Sequence, residues 1–189
     1  DSRKRVHVCG SIFENNNAVR GGGGLKVTIS DNKGTLATYE RSAFINNTSS
    51  GASSVEGHGG AIYHIEDDHA GGSGEDNVEL SQCLFRDNRG WRQGGGAWFT
   101  ILGNGYITNN TFYQNSTIDL SLGMGGALVL SSGNYQVTNN TFAENYAWFH
   151  GGAIQAGSSA DVTLSNNLFS QNESEREWAC YQMNRAADT

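Results

Sequence analysis

Apolar and polar residues alternate in short runs along the chain, as in Val6-His7-Val8, Val78-Glu79-Leu80, Tyr135-Gln136-Val137 and Val162-Thr163-Leu164. A period of two, β-branched residues and a closing Asn or Ser predict short β-strands, and no 3.6-residue pattern of useful length predicts a helix. A second signal, Phe-x-x-Asn, recurs from Phe13 to Asn16, Phe44 to Asn47, Phe85 to Asn88, Phe112 to Asn115, Phe142 to Asn145 and Phe169 to Asn172. Its phenylalanines stand 31, 41, 27, 30 and 27 residues apart. Between them fall Gly22-Gly23-Gly24-Leu25, Gly59-Gly60-Ala61-Ile62, Gly95-Gly96-Ala97-Trp98, Gly125-Gly126-Ala127-Leu128 and Gly151-Gly152-Ala153-Ile154, with Trp178-Ala179-Cys180-Tyr181 in the sixth slot.

Two motifs alternating on a common period of about 27 residues define a solenoid. Short strands and a glycine in nearly every copy exclude helical repeats, and the leucine-rich pattern is absent. A coil of two or three short strands closes into an all-β parallel β-helix of about six coils, each strand pairing with its equivalent one rung along. The phenylalanines then form an interior column. Asn110, Asn140 and Asn167 form one amide ladder and the last Asn of each Phe-x-x-Asn another, because Asn tolerates left-handed turns and its amide both donates and accepts. The glycine pair lets the backbone bend tightly or approach its neighbour closely.

Composition fits one domain over residues 1–189, read as a segment or module of a larger assembly. Charged residues are only 16%, while 19 aromatics and regular apolar spacing argue against disorder. A net charge of −7, with a basic cluster only at Arg3, Lys4 and Arg5, argues against nucleic acid. No apolar run approaches the ~20 residues of a membrane helix, so membrane insertion is not expected. Cys9, Cys83 and Cys180 lack C-x-x-C spacing and signal neither a zinc nor a redox pair.

The alternating G-G-A-[ILV] and F-x-x-N units resemble the repeats of polymorphic outer membrane proteins, autotransporter adhesins whose passenger is a right-handed parallel β-helix. More broadly they are similar to extracellular proteins of the pectin-lyase-like class. The resemblance covers roughly residues 6–183 and implies a right-handed helix, an extracellular or cell-surface location and an adhesive or structural role. The same class also holds polysaccharide lyases and glycoside hydrolases, which keep an enzymatic alternative open. The departures are Gly24 for Ala, Trp98 for the aliphatic residue, and the loss of both glycines in the last copy.

Glu56-Gly57-His58-Gly59-Gly60 followed by Glu66-Asp67-Asp68-His69 resembles the Gly-His-Gly and Asp-Asp elements of polygalacturonase-type glycosidases. Their order is reversed and no Arg-x-Lys follows, so no catalytic residue is assigned. Gly71 to Glu79 matches the calcium nonapeptide G-G-x-G-x-D-x-U-x once, whereas that motif works in tandem. No motif requires a cofactor, and Ca²⁺ held by Asp67, Asp68, Glu75 and Asp76 is the one cation the acidic insertion suits. Arg86, Arg89 and Arg92 are candidate lyase bases with nothing to tie them to one groove. His58 and His150 share the slot before the glycine pair but stand roughly 14 Å apart, too far for one metal. Six N-x-[ST] sequons, at Asn46, Asn47, Asn109, Asn115, Asn139 and Asn172, matter only on a eukaryotic secretory route.

The position four after the first glycine reads Lys26, Tyr63, Phe99, Val129, Gln155 and Gln182, a mixed set that predicts an outward column. Tyr63, Phe99 and Val129, with Trp91, Trp148 and Phe149 on the preceding loops, are the candidate binding platform for a carbohydrate or cell-surface ligand. The chain opens in the strand Val6 to Val8 and closes just past its sixth copy. Strand edges there, with Arg3, Lys4 and Arg5 at one end and Glu173, Glu175 and Glu177 at the other, predict homo-assembly end to end.

Overall fold

The computed structural model describes residues 4–29, 34–52, 56–66, 76–176 and 178–183. Each circuit of the chain lays down four short strands. A first column runs through Arg5–Cys9, Leu36–Glu40 and Asn77–Ser81, then through the C-terminal parts of the long strands Ala97–Thr108, Leu128–Thr138 and Ile154–Ser165. The second column holds six strands from Ile12–Glu14 to Leu168–Ser170, and the third six two-residue strands from Asn17–Ala18 to Glu173–Ser174. A fourth runs from Leu25–Ile29 and Ile62–Glu66 through the N-terminal parts of the long strands to Tyr181–Met183. Every ladder among the described residues is parallel, as a β-helix requires. The fourth column exceeds the two or three strands expected per coil, because the Gly-Gly-Ala segment leads directly into a strand of its own.

Phe13, Phe44, Phe85, Phe112, Phe142 and Phe169 form the interior column. Successive rings lie 4.7 to 5.1 Å apart and tilt by only 6 to 9°. That spacing equals the ~4.8 Å between paired strands, so the stack follows from the ladder itself. Asn16, Asn47, Asn88, Asn115, Asn145 and Asn172 form an unbroken amide ladder. Each Nδ2 in the chain from Asn16 to Asn145 donates to the next rung's Oδ1 at 2.9 to 3.0 Å. From Asn47 onward each also donates back to the Phe carbonyl of the previous rung. Asn110, Asn140 and Asn167 repeat the arrangement at the other corner. The left-handed turn is taken by the residue before each ladder Asn, including Asp87, Gln114 and Glu144, and by Arg41 and Gln82 on the early rungs, where Ser42 and Cys83 hold the corner slot that Asn110 fills later. The ladder residue therefore serves for its amide and its neighbour for the bend.

The glycines divide the labour in the same way. Gly59 adopts φ 59°, while a Cβ on Gly60 would stand 2.0 Å from the Gly95 carbonyl oxygen. In the third rung the structure corrects the alignment read from the sequence. Gly94, at φ 66°, takes the bend slot, which moves Ala97 opposite Ile62 and Leu128 and Trp98 opposite Tyr63 and Val129. Phe99 then points inward, fully buried against His64 and Tyr39, and leaves the outward column. Three consecutive glycines offer two alignments, and only ring volume chooses: Ala97 vacates interior space that Phe99 fills.

One polar pair is buried within this core. Tyr39 Oη and His64 Nδ1 lie 2.8 Å apart, with both residues wholly inaccessible. Burial pushes the His64 pKa down from 6.5 to about 4 and raises the Tyr39 hydroxyl above its ordinary value. Because the unfolded chain takes up the His64 proton first, stability is unaffected above pH 6.5 and falls as pH drops from there towards 4. Urea denaturation between pH 6 and 5 should show a loss of about 1 kcal/mol from this group, absent from a Tyr39→Phe/His64→Leu double variant. Equal pH slopes in the two proteins would contradict it. For the ring column, Phe142→Ala should cost about 3–5 kcal/mol in the same assay, and a variant melting with the parent would contradict its interior placement.

Candidate binding face

The first strand column buries alternate residues, so the others line a polar outer face. Its central row runs His7, Thr38, Glu79, Tyr106, Gln136 and Thr163, one residue per rung. Beside it run Asn104, Asn134 and Asp161 on one flank and Ser81, Thr108, Thr138 and Ser165 on the other. Rows of this kind repeat every ~4.8 Å with fixed direction. A depression of about 200 Å³ opens among Asn104, Tyr106, Asn134, Gln136, Asp161 and Thr163. Its floor is Tyr135, whose ring needs Gly105 on the rung below, since a Cβ there would stand 2.3 Å from it. Burial, with the Glu66 charge adding to it, holds the Tyr135 hydroxyl well above its ordinary pKa, so it stays neutral. Amides, a carboxylate, a hydroxyl and one 41% exposed ring can hydrogen-bond a polyol and stack on its apolar face.

The aromatic platform expected from the sequence is not an exposed surface. Tyr63, Val129 and Trp98 form a satellite cluster less than a tenth exposed, with Ile65 packed against it. His58 stacks on Tyr63 and meets Trp98 at a tilt, and Lys26 Nζ lies 5.2 Å from the Tyr63 ring centre. The column does face away from the main core, yet the loops carrying the bend glycines fold over it, and Phe99 belongs to the core. Trp91, Trp148 and Phe149 are half-buried on those loops. Phe149 carries Arg176 at 5.4 Å and meets His150, which in turn meets the 52% exposed Trp178.

His58 and His150 share one slot, through a ladder of bridges running His58, Gln93, Met124, His150. Asp67, Asp68 and Glu75 lie outside the described residues. Asp76 is fully buried and accepts the Thr35 amide, so its carboxylate is turned inward instead of joining a solvated acidic loop. Arg86, paired with Asp87 at 3.3 Å, sits in the second column, Arg89 in the third, and Arg92 on the loop after it. The three thus lie on successive stretches of one circuit. Among the sequons, Asn47, Asn115 and Asn172 are buried in the amide ladder, whereas Asn46, Asn109 and Asn139 are exposed. Sequence reasoning missed the depression around Tyr106. The signal was there in the polar member of each alternating pair, but only the register showed that those members align.

The family model for the right-handed β-helix region matches residues 7–184. No curated protein and no solved structure gives a match. With nearly the whole length matched and every described ladder parallel, the chain belongs to the right-handed β-helix family.

Proposed function

We propose that the chain is an adhesive module of a secreted or cell-surface protein, and that it holds a carbohydrate on the outer face of its first strand column. The depression between Tyr106, Asn134 and Asp161 carries this reading. It joins an exposed ring to fixed donors and acceptors on three successive rungs, and a rigid ladder spends little entropy in ordering them. The likeness of the repeat to autotransporter passengers supports the adhesive role and the extracellular setting. A Ca²⁺ ion is not needed at this face, where side-chain amides supply most of the polar groups.

An oligosaccharide array followed by calorimetry tests the reading. Tyr106→Ala and Asn134→Ala should each weaken binding about tenfold, near 1.4 kcal/mol, with unchanged melting because both side chains point outward. Absence of any bound glycan, or full affinity in both variants, would contradict it. Release of reducing or unsaturated sugar ends would replace it with a glycan-cleaving activity.

A further inference from the structure

Two strands of the first column bring together a group of side chains far apart in sequence. His7 and Cys9 are two residues apart on the strand Arg5–Cys9, so they share its outer face, and Glu40 is the residue directly opposite Cys9 on the next rung. His7 Nε2 lies 3.0 Å from Glu40 Oε1. One nitrogen, one sulfur and one carboxylate oxygen all fall within 4.8 Å of one another. Further along this row come Ser81, Thr108, Thr138 and Ser165, so Cys9 and Glu40 depart from a hydroxyl row at its first two rungs, the first of which carries His7.

We infer that His7, Cys9 and Glu40 form a Zn²⁺ site that clamps the first rung to the second. Zinc takes imidazole nitrogen and carboxylate oxygen near 2.0 Å and thiolate near 2.3 Å in a tetrahedron, which places its ligand atoms roughly 3.3 to 3.8 Å apart. Small rotations of three outward side chains reach that arrangement. The mixed nitrogen, sulfur and oxygen set favours zinc over calcium or magnesium, which prefer oxygen alone. A positive group already occupies the position. Arg41 Nη2 lies 3.2 Å from Cys9 Sγ and 3.1 Å from Glu40 Oε1, and its side chain is 61% exposed and free to swing away. On binding, the Cys9 thiol releases its proton to solvent and the His7–Glu40 hydrogen bond gives way to two metal bonds. The proton with which His7 Nε2 bridged to Glu40 passes through solvent to Nδ1, which leaves the Nε2 lone pair for the metal, and water completes the tetrahedron. The site is independent of the carbohydrate reading, whose residues lie on later rungs.

Cobalt titration of the full chain, after treatment with a chelator, reads the site directly. One equivalent of Co²⁺ should bind with an ultraviolet thiolate-to-cobalt charge-transfer band and tetrahedral visible bands, and Zn²⁺ should displace it. Cys9→Ser should abolish the thiolate band, and His7→Ala and Glu40→Gln should each weaken binding at least about tenfold. Cys180→Ser, which removes the other exposed thiol, should leave the spectrum intact, and Arg41→Ala should tighten binding. Matching circular dichroism of the metal-free proteins shows that each variant folds. The proposal fails if saturating Co²⁺ gives no thiolate band, if the band follows Cys180, if His7→Ala and Glu40→Gln bind like the parent, or if Arg41→Ala weakens binding.

Discussion

A solenoid has to satisfy its backbone at the corners, where strand pairing lapses, and here asparagine side chains do so. The Asn47 amide N–H donates to the Asn88 side chain one rung on, and the Asn47 Nδ2 group donates back to the Phe13 carbonyl. Each side chain thus stands in for a missing strand partner in both directions. An orphaned buried group would cost about 1–3 kcal/mol, and every corner would leave several. The phenylalanines complete the constraint, because flat rings at the strand spacing pack only when rungs are held in register. The coils can therefore differ in length. Extra residues between positions 29 and 34, between 49 and 58, and between 66 and 76 separate the early rungs by 31 and 41 residues, yet the amide ladder passes through both.

Much of this was legible in the chain because the constraint acts on residue type. Phe and Asn recur where no substitute fills the same slot, so their positions state the register from Phe13 to Asn172. The glycine motif was read correctly where two glycines stand before Ala, and misread at Gly94-Gly95-Gly96-Ala97, where three fit the pattern twice. That one-residue slip moved Phe99 from the core to the surface and hid Trp98, as a period of two dictates. The covering of Tyr63 and Val129 was not legible, since it depends on how the preceding loops fold back.

The outer face was least legible because selection for packing does not act there. His7, Glu79, Tyr106 and Gln136 share nothing that a repeat search would find, and they become neighbours only through pairing at a distance. The joining of Cys9 to Glu40 has the same origin. Rigid rungs make such rows informative once the register is known, since each outward side chain has two fixed neighbours and one fixed direction. The inner ladders set the architecture and leave the outer rows free to carry ligands.

Side-chain amide exchange followed by NMR tests the ladder most directly. If the Nδ2 groups of Asn47, Asn88, Asn115 and Asn145 hold the corners, their protons should exchange only through global unfolding, at rates matching the most protected strand amides. Asn139, exposed at its turn, should exchange freely in the same sample. Ladder protons exchanging as fast as those of Asn139 would contradict the account.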